Sequence, residues 1–125
     1  MIILTRDEFL EATGVDLYLE LEDADVDIEK MVDITLKRWS TILYTEVRKK
    51  SLTRIPDDSK LTSNQVERIK EALCNLGLYY KTNGDIKALG GTSTTGEEVV
   101  PQDIIDDLRR TAGLIKLSFG GRSVW

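Results

Sequence analysis

The chain contains no histidine and a single cysteine, Cys74. The missing histidine removes every Ser-His-Asp or Cys-His arrangement for nucleophilic catalysis, and the two scarcities together remove the ligand sets of structural zinc. One cysteine cannot close an internal disulfide. Aromatic residues make up only 6% of the 125 residues, and proline occurs twice. Uninterrupted apolar runs fall far short of the ~20 residues a bilayer span needs, and no basic region precedes the apolar residues of Met1-Ile2-Ile3-Leu4 as it would in a secretory leader. These absences predict a protein made in the cytoplasm, with no membrane partner, cofactor or metal. Carboxylates do not fill the gap. Asp57-Asp58, Glu97-Glu98 and Asp106-Asp107 are adjacent acids expected in solvent, whereas acid/base work needs two carboxyls whose surroundings push their pKa values apart. Asp23-Ala24-Asp25-Val26-Asp27 opens like a calcium loop but lacks the central glycine and the closing bidentate glutamate. Neither Gly90-Gly91 nor Gly120-Gly121 carries the Gly-Lys-Ser/Thr of a phosphate loop. The chain is not expected to be an enzyme.

What is present is a charge-rich composition, 41% apolar and 31% charged, with a formal net charge of -5. Its length suits one domain that buries roughly two-thirds of its unfolded surface. Net acidity disfavours a broad nucleic-acid grip, which rests on cations displacing condensed counterions. The charge is nonetheless unevenly spread. Residues 16–33 hold eight acids (Asp16, Glu20, Glu22, Asp23, Asp25, Asp27, Glu29 and Asp33) against Lys30, and residues 37–54 hold six bases (Lys37, Arg38, Arg48, Lys49, Lys50 and Arg54) against Glu46. Part of this asymmetry is helix chemistry, since acids favour a helix start and bases its end. Opposite charge on two sides of one subunit also suits head-to-tail contact, which makes Asp23, Asp25, Arg48, Lys49 and Lys50 candidates for contacts between subunits should the chain form a ring.

The apolar spacing predicts an all-α protein, a small bundle of three to four helices. Thr5-Arg6-Asp7-Glu8 is a capping box, in which the threonine oxygen takes an orphan amide and the glutamate reaches back, so a helix is expected over 6–13 with Gly14 as its left-handed stop. Ile28, Met31, Val32, Thr35, Trp39, Ile42, Leu43 and Val47 recur at three- and four-residue steps and predict the longest helix, over 26–50. Ile55-Pro56-Asp57-Asp58 reads as a turn. A second capping box, Thr62-Ser63-Asn64-Gln65, opens a helix over 63–81 carrying Val66, Ile69, Leu73, Leu76 and Tyr80. Gly77 inside it costs about 1 kcal/mol relative to alanine, which predicts close approach of another helix there. Cys74 beside this stripe is expected to be a small buried hydrophobe. Residues 87–100 have no helical period and read as a flexible loop or a segment ordered by a partner. Pro101 then starts a helix over 101–112 with Ile104, Ile105 and Leu108 inward. Residues 1–112 form the helical domain on this reading, and 113–125 form an extended C-terminal tail.

That tail, Leu114-Ile115-Lys116-Leu117-Ser118-Phe119-Gly120-Gly121-Arg122-Ser123-Val124-Trp125, is apolar where terminal residues ordinarily fray. Two readings stand side by side: it folds back over its own helices, or it inserts into a neighbouring subunit or another protein. Exposed alone, such a series is an aggregation hazard.

The order of parts resembles the head-tail connector (adaptor, or head-completion) proteins of long-tailed bacteriophages. The likeness is carried by Val100-Pro101-Gln102-Asp103-Ile104-Ile105-Asp106-Asp107-Leu108-Arg109-Arg110-Thr111-Ala112-Gly113-Leu114-Ile115, a helix ending in a Leu-x-x-x-Ala-Gly-Leu-like motif that leads into a tail. Glu71-Ala72-Leu73-Cys74 through Tyr79-Tyr80-Lys81-Thr82-Asn83-Gly84-Asp85 is similar to the family's long helix. The resemblance implies a structural virion protein of the neck, a ring of identical subunits, commonly dodecameric, docked under the portal and extending the DNA channel. It implies that the tail, through Leu114, Ile115, Leu117, Phe119, Arg122, Val124 and Trp125, attaches to the portal protein. It also implies contact with the next neck or tail-completion protein, and DNA passing without sequence-specific binding. A different expectation is an acidic helical regulator that binds a basic-surfaced protein through residues 16–33.

Overall fold

Two long helices carry the fold. In the computed structural model, which describes residues 1–22, 27–51, 53–83, 100–111, 115–116, 118–119 and 122–123, the chain is a small all-α protein. Its five described helices are α1 (Arg6–Thr13), α2 (Leu17–Glu20), α3 (Ile28–Ser51), α4 (Ser63–Thr82) and α5 (Gln102–Thr111). A single 3-10 turn, Asp58–Lys60, precedes α4.

Each helix begins and ends where local chemistry allows. Both expected capping boxes are present: the Glu8 amide donates to Thr5 Oγ1 at 3.1 Å and the Thr5 amide to Glu8 Oε1 at 3.0 Å. At α4 the Gln65 amide donates to Thr62 Oγ1 at 3.2 Å and the Thr62 amide to Gln65 Oε1 at 2.8 Å. Such caps satisfy donors that the first turn otherwise leaves orphaned, worth about 1 kcal/mol each. Gly14 stops α1 at φ 75°, its N–H donating to the Leu10 carbonyl at 2.8 Å. α2 was not anticipated; Asp16 caps it by accepting the Tyr18 amide at 3.0 Å.

The core is centred on Trp39, which is fully buried on α3. Phe9 of α1 meets its ring edge-on, with centroids 5.2 Å apart and planes at 65°, and Tyr80 of α4 lies 6.3 Å away on another side. Val32, Leu36, Leu43 and Val47 continue the buried face of α3, and Ile69, Leu73 and Leu76 that of α4. α5 closes the open end of this pair, packing on both α3 and α4 through Ile104, Ile105 and Leu108. Val100, expected in the loop, is instead 1% exposed. Its carbonyl accepts from Lys50 Nζ at 2.9 Å, so the entry to α5 is tied to the end of α3. The rest of the expected loop lies outside the described residues.

Short antiparallel ladders complete the chain. β1 (Thr53–Arg54) follows α3 and pairs with β2 (Ile115–Lys116), with Thr53 opposite Lys116 and Arg54 opposite Ile115. β3 (Ser118–Phe119) pairs with β4 (Arg122–Ser123), with Ser118 opposite Ser123 and Phe119 opposite Arg122. At the other end of the chain, Ile2 is fastened across α3, its amide donating to Tyr44 Oη at 3.0 Å and its carbonyl accepting from Ser40 Oγ at 2.7 Å.

Gly77 does permit a close approach, but to two aromatic rings rather than to a helix backbone. A Cβ there would stand 2.6 Å from Trp39 Cζ3 and 2.7 Å from Phe9 Cε1. Both rings are fully buried and have no room to swing. Overpacking of this kind costs about 1–3 kcal/mol, against a helix-propensity gain of about 1 kcal/mol for alanine. Gly77→Ala should therefore lower unfolding stability in urea by about 1 kcal/mol, the middle of the resulting range. A neutral or stabilising result would mean that the rings are not wedged against α4.

Candidate partner-binding surfaces

Three acids of the N-terminal half, Glu8, Asp16 and Glu20, are committed to the fold itself. Arg6 grips Asp16 bidentately, Nε to Oδ1 and Nη2 to Oδ2 both at 2.9 Å, and its guanidinium lies 3.7 Å above the Tyr18 ring. The hydrogen bond from Arg6 holds the Asp16 carboxyl below its ordinary range. Glu20 pairs with Lys81, tying α2 to the end of α4, and Glu8 pairs with Lys70, tying α1 to its middle. Burial opposes ionisation of Glu8, but the Lys70 ammonium and the Thr5 amide outweigh it and keep the carboxyl below its usual value. Asp23 and Asp25 lie outside the described residues.

The basic end of α3 is divided. Glu46 is 8% exposed, and Lys50 Nζ lies 3.6 Å from one of its oxygens and Lys49 Nζ 3.9 Å from the other. The i,i+3 and i,i+4 spacing brings both ammoniums back over their own helix. Lys50 also reaches the Val100 carbonyl, so its ammonium works inside the subunit rather than between subunits. Lys49 is 69% exposed, and a pair that open contributes little. Arg48 is exposed and is the member of the trio that does not pair with Glu46. It lines a shallow cleft of about 340 Å3 with Met1, Thr41, Tyr44, Thr45, Arg54 and Ile55. The sequence does not mark the juxtaposition with Arg54, since Arg48 belongs to a helix and Arg54 to a strand and no common period links them.

For the tail, the backbone of Ile115 lies in β2, that of Phe119 in β3 and that of Arg122 in β4. Leu114, Leu117, Val124 and Trp125 lie outside the described residues. The root of the tail is thus held by its own subunit at β1, as the folding-back reading requires for that stretch.

Two grooves flank the outer face of α4. The first, about 420 Å3, runs between α1 and α4; Leu4, Ala12, Cys74 and Leu78 line its apolar floor and Glu8, Glu11, Glu67 and Glu71 its rim, with Lys70. The second, about 510 Å3, lies between α4 and α5 and includes Ala72, Tyr79, Pro101, Ile104, Asp103 and Asp107. Cys74 is buried as expected, and burial raises its thiol pKa, leaving little reactive thiolate. Among the described residues no three Cys, Asp or Glu side chains converge as metal ligands would. No described helix is long and apolar enough to cross a membrane. Grooves with apolar floors and charged rims are suited to protein contact.

The chain matches no family model, no curated protein and no solved structure.

The paired carboxylates set the acid limb of stability. Glu8 and Asp16 have folded pKa values below their unfolded ones, so their contribution is complete above about pH 4.5 and is lost as pH falls through the lowered values. Thermal melts between neutrality and strong acid should show a steep loss below about pH 4 that is blunted in Glu8→Gln/Asp16→Asn. An identical acid limb in wild type and variant would show that these pairs do not stabilise the folded state.

Proposed function

We propose that this chain is a structural head-tail connector subunit: one member of a homo-oligomeric ring that sits under a bacteriophage portal and extends the DNA channel toward the tail. The observation that supports this best is the path of the C-terminus. α5 ends at Thr111, and Ile115 and Lys116 are paired with β1, so the apolar residues beyond Lys116 start from a fixed point on the subunit. A tethered apolar segment is a low-cost anchor, because its root is ordered before the partner arrives. Leu117, Phe119, Val124 and Trp125 are then the residues that meet the portal protein, with Arg122 among them. Net acidity fits a conduit, since a wall attracting phosphate strongly would retard passing DNA.

The regulator reading has less support. Two of the acids it relies on, Asp16 and Glu20, are engaged within the subunit by Arg6 and Lys81.

Ending the chain after Lys116 keeps the β1–β2 ladder while removing the anchor. In a complementation assay the full chain should sediment with DNA-filled heads at a fixed ratio to portal, whereas the shortened chain should stay free with unchanged helical circular dichroism. Recovery of the shortened chain on heads at full efficiency would remove the tail from the attachment.

A further inference from the structure

The core faces of α3 and α4 meet where Trp39 presses on Gly77, so the faces turned away from that contact are two separate surfaces of the subunit. These two outer faces carry opposite charge. On α3, Lys37, Thr41, Thr45 and Arg48 are all exposed and lie three or four residues apart on one stripe, and Arg54 joins Arg48 in the adjoining cleft. Asp33 and Glu29 border the stripe only at its N-terminal end. No acid among the described residues lies within salt-bridge distance of Lys37, Arg48 or Arg54. On the α1/α4 side, Glu11 and Glu67 line one groove and are likewise without an ion-pair partner among the described residues, while Glu8 and Glu71 are taken by Lys70 and Arg68. Among the described residues, the unpaired cations Lys37, Arg48 and Arg54 thus lie on the α3 side beyond the acids of its first turns, and the unpaired carboxylates Glu11 and Glu67 lie on the α1/α4 side.

We infer that the acid-rimmed α1/α4 groove is the docking site for the Arg48/Arg54 face of a second copy of this chain. Charge complementarity selects the occupant: the groove offers two carboxylates without an ion pair among the described residues, and the Arg48/Arg54 face offers two such guanidiniums, whose planar forks suit carboxylates. Because the two surfaces are different patches of the subunit, the contact is heterologous and repeats from copy to copy until rotation closes it. The inference rests on the ring reading above and names the surfaces that meet. It also reassigns the subunit contact from Lys49 and Lys50, which fold back on Glu46, to Arg48 and Arg54.

The test is a charge swap read by sedimentation velocity of the full chain at low salt across a concentration series. Wild type should self-associate, and added salt should reverse it. Arg48→Glu or Glu67→Lys alone should weaken association by about tenfold or more, since like charges then face each other. The two changes in one chain should restore association to within about threefold of wild type, because each copy again presents complementary faces. Arg54→Glu with Glu11→Lys repeats the logic should either first variant fail to fold. A chain that stays monomeric throughout, or singles that are not rescued by the double, would overturn the inference. So would Arg48→Glu abolishing binding to fluorescent duplex DNA while leaving association unchanged, which would assign the cleft to phosphate. Failure here leaves the connector reading to the head-attachment assay, which depends on the tail and not on these charges.

Discussion

Everything in this fold is positioned by the seat of Trp39 against Gly77. The indole is the largest fully buried side chain among the described residues, and it contacts α1 through Phe9 and α4 through Gly77 and Tyr80. Its Nε1 has no hydrogen-bond partner among the described residues, nor does the buried Thr35 Oγ1 one turn earlier. An orphaned buried donor costs about 1–3 kcal/mol, so shape alone must hold the ring in place. Glycine at position 77 makes that possible. Its absent side chain is the space into which two rings fit, and the helix-propensity loss is offset by the aromatic surface buried against it.

From that contact the surfaces follow. With their inner faces committed to Trp39, α3 and α4 keep separate outer faces, and local ion pairing decides what remains on each. Lys70, Arg68 and Lys81 are consumed by Glu8, Glu71 and Glu20, leaving Glu11 and Glu67 on the α4 side. On the α3 side, buried Glu46 draws in Lys50 and leaves Arg48 outward beside Arg54. The two surfaces differ in the sign of the charge they leave unpaired, which is the arrangement the proposed head-to-tail contact uses.

Features set by neighbouring residues were legible in the sequence. Thr5 with Glu8 and Thr62 with Gln65 announce two helix starts because a capping box is complete within four residues. The buried stripe from Val32 to Val47 is visible because one helical face repeats every three or four positions. The features that escaped depend on distant pairing. α2 is four residues long, too short for a period, and its Asp16 cap reads as one more acid in an acidic run until Arg6 is seen to grip it. Glu20 meets Lys81 across 61 positions and Lys50 meets Val100 across 50, so neither partner is marked locally. The β1–β2 ladder is similarly hidden, since two residues after a long helix carry no strand signal of their own. For the candidate site, Arg48 was visible as a basic residue at a helix end, but its partner Arg54 and the opposing Glu11 and Glu67 became legible only once the chain was folded.

The account stands on one claim: that the apolar C-terminal residues are buried by a different polypeptide while the subunit's two charged faces meet in a closed series. Reconstruction of the assembled neck at side-chain resolution tests it most directly. The account predicts Leu117, Phe119, Val124 and Trp125 seated on the portal, and Arg48 and Arg54 of each subunit against Glu11 and Glu67 of the next. Finding those four apolar side chains packed wholly within their own subunit, with no neighbour touching them, would contradict it.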